Sequence, residues 1–490
     1  MTHSPAFPPA RGALLGCVLL CAVLPLPAQE EEPAAPAAQG WTASAGIGAV
    51  TMGGQTWTQI SLRPEIPIGK LGIALDLTLY FDQDGQVRKS DWDEGRDLID
   101  KIYYLRWAHK GDPVYLKAGA LDDVNLGYGI LVRHYSNAVQ YPSVRRVGGE
   151  FDLRPGQPQI EGFLANFREL DGPGLFGLRA SHPVLGKLRV GASFVMDGNL
   201  YAGMADADGD RVPDQLDRFL DHNDAREYQL WQDLRSEVGE GSELWERLRG
   251  MAGYPGDDWL DHPLPDYSKA EESLQALGAD LGYELLPNLD LYFQVARFSG
   301  YGSGWAPGLR WRPLHWLSAG AEYRVWGEQF IGDFFNRTYD VERTIYRGDS
   351  LYTREELLKH APAMKGFYAD ARASLFNLLT VSAAWNTMKP DEGGHDDWNS
   401  LWAGAGLDLA KVPKLKELAA YYSQVGVESL FELRTAGTMH GTRVGYELAP
   451  GALLRLDWRT TYADRNGDGR IRGEAEQDRT FLVETVFQLR

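Results

Sequence analysis

The chain has 490 residues, 44% of them apolar, 11% aromatic and 24% charged, with 49 Lys and Arg against 68 Asp and Glu. That composition supports a large core and excludes a disordered chain, a collagen-like repeat and a disulfide scaffold. The net charge of −19 comes with no Lys/Arg-rich stretch, which argues against nucleic acid as a partner because nothing is available to neutralise phosphates.

Residues 1–28 read as a signal peptide. Arg11 precedes the apolar run Gly12–Leu24, and Pro25-Leu-Pro-Ala28 ends on a small residue suited to cleavage. The run is about 13 residues, short of the roughly 20 that a helix needs to span a bilayer. Both cysteines, Cys17 and Cys21, lie inside it, so the mature chain is expected to have no disulfide and no thiolate site. Residues 29–40 form an Ala/Pro/Glu-rich linker, too short for a TonB-dependent plug domain ahead of Trp41.

Beyond Trp41 the repeating signal is two-residue alternation. Leu71, Ile73, Leu75, Leu77, Leu79 and Phe81 alternate with Gly72, Ala74, Asp76, Thr78, Tyr80 and Asp82. Leu289, Leu291, Phe293 and Val295 alternate with Asp290, Tyr292, Gln294 and Ala296, and Leu454, Leu456 and Trp458 with Arg455, Asp457 and Arg459. Successive strand side chains point to opposite faces, so each segment has one apolar and one polar face. About 20 such strands (range 16–22) are joined by two alternating kinds of connection. Short Pro/Gly/Lys-marked joints occur at 66–70, 110–113, 154–158, 182–186, 286–288, 312–314, 411–414 and 449–451. Longer, more acidic ones occupy 83–99, 121–144, 199–270, 328–362, 387–397, 426–436 and 463–478. Short turns at one end and long loops at the other predict an all-β fold, a transmembrane antiparallel up-and-down barrel over residues 41–490. Trp107, Trp311, Trp316, Trp326, Trp385, Trp398, Trp458 and Tyr462 fall near strand ends, where interfacial girdles lie.

Several loops carry chemical signals. Arg133-His134-Tyr135-Ser136-Asn137-Ala138 resembles the His-x-Ser-Asn of outer-membrane lipid A deacylases and phospholipases. That resemblance implies a Ser136 nucleophile activated by His134, with Glu150 as a conceivable orienting acid. A His/Ser pair by itself does not make a triad, so an enzyme is the alternative and not the main expectation. Within the insert 199–270, carboxylates recur at Asp206, Asp208, Asp210, Asp214 and Asp217, the hard oxygen ligands that calcium takes. The stretch resembles a thrombospondin type-3 calcium repeat, with Arg211 where a Gly is usual. Residues 224–250 then place Leu230, Trp231, Leu234, Val238, Leu244, Trp245 and Leu248 at helical spacing. Thr353 and Glu356 have capping-box spacing before Leu357-Leu358. Asp464, Asn466, Asp468 and Arg470 resemble the first half of an EF-hand or dockerin-type calcium loop, though Ala475 stands where the closing acid belongs. The last strand, Thr480–Arg490, resembles the terminal assembly strand of bacterial outer-membrane proteins, with Phe487 three positions before the end.

The chain is therefore read as a porin-like bacterial outer-membrane barrel whose extracellular loops are ordered by structural Ca2+. The expected cargo is small polar solutes or ions in passive passage. The acidic outside favours cations, and loops 199–270 and 328–362 are candidates for a lid or plug. Outer-membrane lipid and the barrel-assembly machinery are the expected partners. A plugged barrel acting as a surface binding or structural protein is the competing reading. Lumen-facing charges are expected at Asp76, Arg189, Asp290, Glu322, Arg324, Asp370, Arg372, Arg443, Glu447, Arg455, Asp457, Arg459 and Glu484.

Overall fold

The computed structural model describes residues 42–489, except 53–54, 89–90, 93–97, 99–100, 142–143, 168–173, 201–221, 240, 252–253, 255–259, 261–272, 348–349, 377, 393–394, 410–413, 465–469 and 473–475. The wall begins with β1 (Thr42–Met52) and β2 (Gln55–Ile68), followed by β3 (Leu71–Leu75) and β4 (Leu77–Phe81), which are two halves of one strand. Next come β5 (Ile102–Trp107), β6 (Val114–Gly119), β7 (Gly148–Leu153), β8 (Gln159–Leu164), β9 (Leu175–Leu185) and β10 (Leu188–Asp197). The middle of the wall is β11 (Leu274–Leu286), β12 (Leu289–Phe298), β13 (Ser303–Leu314) and β14 (Leu317–Trp326). A loop hairpin, β15 (Thr344–Arg347) with β16 (Ser350–Thr353), stands apart from it. The wall resumes with β17 (Met364–Leu375), β18 (Leu379–Pro390), β19 (Trp398–Asp408), β20 (Leu415–Val427), β21 (Met439–Ala449), β22 (Ala452–Tyr462) and β23 (Gln477–Leu489).

Each wall strand pairs antiparallel with its sequence neighbours, and β23 returns to β1 from Ala43 opposite Leu489 to Thr51 opposite Phe481. The result is a closed antiparallel barrel of 20 strands. Closure of β23 on β1 removes the two terminal edge strands, the condition for a sheet to sit in lipid. The alternation decides which face is which. On β12, Leu291, Phe293 and Val295 are 40%, 39% and 38% exposed on the outside, while Tyr292, Gln294 and Ala296 are 7%, 1% and 2% exposed inside. The outer face is thus an apolar belt, and Trp107, Trp311, Trp385, Trp458, Phe481 and Phe487 belong to it. Trp326 and Tyr462 do not: both are buried, Trp326 in the interior core. Proximity to a strand end places a ring at the right height but leaves its face undecided.

The short connections lie at one end, as expected, with one more at 376–378. The other end has three connections that the length contrast missed, between β1 and β2, between β8 and β9, and between β12 and β13. Helices cover His222–Val238 and Glu243–Arg249, in agreement with the periodicity. Trp245 is buried there against Trp231 and Tyr254, edge to face. A short helix also forms at Glu356–Lys359, but its N-cap is Glu355 and no side chain caps it. Thr353 instead ends β16, which takes the capping-box residue out of the helix.

Candidate functional site

Twenty strands enclose a space wide enough for an aqueous channel unless something fills it. Two loops from the long-loop end fill much of it. The first, 120–147, is pinned at its base by Asn137, whose Oδ1 accepts the Leu121 N–H at 2.8 Å and whose Nδ2 donates to the Ala165 carbonyl at 2.7 Å. Val124 and Tyr135 bridge antiparallel, and a tight turn through Gly127 and Gly129 carries Ile130 across to β12. Gly129 has φ +96°, and a Cβ there would lie 2.7 Å from Arg133 Nε, so only glycine fits. At the tip the Ile130 N–H donates to Gln294 Oε1 at 3.0 Å.

The second loop, 327–363, meets the first inside the barrel through a parallel bridge between Val132 and Phe335. Asp333 N–H donates to the Ile130 carbonyl at 2.9 Å, and Phe335 N–H to the Leu131 carbonyl at 3.1 Å. Ile130, Leu131, Val132 and Tyr135 pack with Phe330, Phe334, Phe335 and Tyr339 against the inward Val195, Ala276, Ala296 and Phe298. Phe298 meets Phe334 edge to face at 5.3 Å, a favoured aromatic geometry. The main hydrophobic core of the described residues therefore lies in the lumen.

Ion pairs fasten this core to the wall. Glu322, 1% exposed at its side chain, accepts from Arg133 at 2.5 Å, Arg324 at 2.8 Å, Tyr292 at 2.8 Å and Gln294 at 3.1 Å. Asp333 takes Arg133 at 3.1 Å and Arg324 at 2.8 Å. The two guanidinium groups lie 4.2 and 4.0 Å from the centre of the Tyr368 ring. Farther round, Asp197 accepts from Tyr339 at 2.6 Å and Arg343 Nε at 2.7 Å. Asp76 takes Arg63 at 3.2 Å, Thr78 at 2.5 Å and Tyr141. Arg63 also bridges to Glu484 at 2.8 Å. The acids at Asp76, Glu322 and Glu484 and the base at Arg324 are thus inward, as the alternation predicts, and all four are consumed in pairing.

Two openings are lined by described residues on the inner side of the wall. A cavity of about 410 Å³ at the short-turn end is lined by Asn288, Arg312, His315, Ser318, Arg372 and Ser374. A narrower cleft of about 90 Å³ lies between His134, Asn336 and Arg337 of the loops and Tyr368, Asn386, Ser400, Trp402 and Gln424 of the wall. His134 adopts φ +55°, its Nδ1 is 2.7 Å from Asp123 Oδ1, and its ring stacks on Trp402 at 6.2 Å. Burial by itself pushes the Asp123 carboxyl up, but the His134 charge and hydrogen bond outweigh it. Arg337 and Lys110 add to them through space, so Asp123 is held below the usual carboxylate range.

The left-handed backbone at His134 takes it out of strand geometry, so it does not share a face with Ser136. Ser136 is 3% exposed and its Oγ accepts the Ala138 N–H at 3.2 Å. Glu150 pairs with Lys110, and the group that orients His134 is Asp123. No hydrogen bond joins His134 to Ser136 among the described residues. Of the proposed calcium ligands, Asp206, Asp208, Asp210, Asp214, Asp217, Asn466 and Asp468 lie outside the described residues. Asp464 is 7% exposed and Arg470 is exposed. Sequence reasoning missed Arg337, Trp402 and Gln424. The one signal for the first plug loop was the run Ile130-Leu-Val132, an apolar stretch in a segment too long for a turn.

No family model matches the chain, and no curated protein sequence does. Solved structures with a similar chain course include OccK11 (OpdR) of Pseudomonas aeruginosa, at 12% identity and a TM-score of 0.32, covering 92% of this chain and 96% of that one. OccK5 (OpdH) of the same organism has 9% identity and a TM-score of 0.33, covering 92% and 97%. The ferric enterobactin receptor PfeA of Pseudomonas aeruginosa has 9% identity and a TM-score of 0.34, covering 92% and 81%. At those scores the barrel assignment rests on this chain's own strand pairings.

Proposed function

We propose that the protein is a bacterial outer-membrane channel for passive passage of small polar solutes or ions, narrowed by two loops folded into its lumen. The observation that carries this reading is the combination of a lipid-compatible outer belt with a lumen that keeps a polar-lined cavity at the short-turn end and a cleft beside the inserted loops. A uniform hydrophobic outer face requires lipid as its solvent. The terminal strand, which closes the barrel on β1, is the segment to be handled by the barrel-assembly machinery, after export through the signal peptide at 1–28. The acidic loops at 206–217 and 464–470 would hold structural Ca2+ at the carboxylates named above.

A second reading has one observation in its favour. The plug is a continuous apolar core fastened by buried ion pairs, as expected of a barrel that stays shut and presents a surface for binding. Single-channel recording in planar bilayers separates the two, with calcium and with chelator. Discrete, ion-selective steps establish the channel, and a chelator effect implicates the calcium loops. Silence from folded protein, with steps appearing after deletion of 328–362, establishes the plugged barrel.

A further inference from the structure

The outer wall carries charge in a pattern that the apolar belt does not require. Arg297 on β12, Lys365 on β17, Lys389 on β18 and Arg479 on β23 stand on outward strand positions at the long-loop end, and all are exposed. Among the described residues no acid shares that face and that end of the wall strands, in a chain with 68 Asp and Glu against 49 Lys and Arg. Arg297, Lys365 and Arg479 each lie one same-face step, about 7 Å of strand, beyond Val295, Phe367 and Phe481 of the belt. That is the height at which hydrocarbon gives way to headgroups.

Two of these bases are set against each other. β17 and β18 pair Lys365 directly with Lys389, and like charges opposed across an antiparallel ladder repel. Lys365 has Asp391 Oδ1 at 3.0 Å, but the two side chains are 53% and 38% exposed, where water weakens an ion pair. The Lys389 ammonium group makes no hydrogen bond or ion pair with a described residue. A multivalent anion between the two ammonium groups would turn the repulsion into charge-assisted contacts. Beneath Phe367 and Trp385, the outward Ala319, Ala371, Ala383 and Ala403 follow one another in register across β14, β17, β18 and β19, so the belt is shallow there. We infer that the Lys365–Lys389 pair binds the phosphate of a phosphorylated lipid of the outer leaflet, with acyl chains lying over the alanine row. A second copy of this chain would also fit a shallow belt, but at this height its outward strand positions present only further bases. The inference rests on the wall standing in lipid and not on whether the lumen conducts.

Native mass spectrometry of the folded, delipidated full-length protein in detergent tests it. The probes are bis-phosphorylated lipid A, its dephosphorylated counterpart, phosphatidylcholine and inorganic phosphate. Retention of lipid A is expected, with dephosphorylated lipid A and phosphatidylcholine at least about tenfold weaker. Lys365→Gln combined with Lys389→Gln should lower lipid A affinity at least about tenfold. Lys70→Gln, in the exposed turn between β2 and β3 at the other end, should leave it unchanged. Without lipid, Lys389→Gln should raise the melting temperature by removing the repulsion, and it should cancel most of the rise that lipid A brings to the unaltered protein. Equal retention of lipid A by the double variant, or of phosphatidylcholine by the unaltered protein, would mean adhesion to the belt alone and would overturn the inference. Inorganic phosphate binding as tightly as lipid A would overturn the lipid assignment. Dimers that Ala371→Trp dissolves and lipid A does not displace would assign the face to a second copy. Because no bilayer is involved, lipid retention by a protein that does not conduct leaves the site standing and removes the channel. Conductance without retention does the reverse.

Discussion

The inner wall carries the same chemistry in two places with different consequences. At Glu322 the carboxylate is 1% exposed, Arg133 and Arg324 are 7% and 3% exposed, and the Tyr368 ring lies against both guanidinium groups. On β20–β22 the pair Arg443–Asp457 has an equally good distance of 2.7 Å, but its side chains are 28% and 19% exposed, with Glu417 at 32%. The first cluster stands where the two loops press on the wall, and the second keeps part of its surface in contact with water. Burial, not geometry, separates them. A wet pair gains little because water serves each ion nearly as well. A dry cluster cannot lose one member without stranding the others.

The comparison is most strongly tested from the loop side. Phe335→Ala empties the middle of the lumen core and should cost about 3–5 kcal/mol, read as an earlier urea midpoint in detergent. Larger or noisier conductance should accompany it if the loops narrow a channel. Glu322→Gln should cost about 3 kcal/mol by leaving Arg133 and Arg324 to share one anion, the partly exposed Asp333, in place of two. A melting temperature unchanged by that substitution would mean that the node is as wet as Arg443. Asp333→Asn, at a 20% exposed acid, should cost about 1–2 kcal/mol. Arg443→Gln should fall within about 0–1 kcal/mol, and a larger loss would break the distinction between wet and dry.

The smallest effect is a pH dependence. Asp123 has a lowered folded-state pKa, so its contribution to anchoring the first loop is full above the ordinary carboxylate value of about 3.9. It fades as pH falls through the lower folded value. The protection of amides at Leu121–Ser136 relative to their intrinsic exchange rates should therefore hold down to about pH 4 and fall below it. Asp123→Asn should remove that acid step. A loss of protection setting in between pH 7 and 5 would assign the anchoring to some other group.

The wall was legible because a closed barrel imposes a local rule. Each residue faces either lipid or lumen, so Leu71 to Asp82 and Leu289 to Ala296 display their faces in the order of their letters. Turn residues, loop lengths and the helices at 222–249 were readable for the same reason, since they depend on neighbours in sequence. The plug obeys no such rule. Val132 meets Phe335 and Arg133 meets Glu322 across some two hundred residues, and no period within 120–147 announces either contact. His134 and Ser136 look like neighbours on a strand, yet one positive φ separates them. The sequence by itself determined a barrel with an apolar exterior and a charged interior, because alternation is a property of consecutive residues. Only the tertiary structure decided that two loops fill that interior and which arginines they neutralise. Those outcomes depend on which distant segments reach the same point in space.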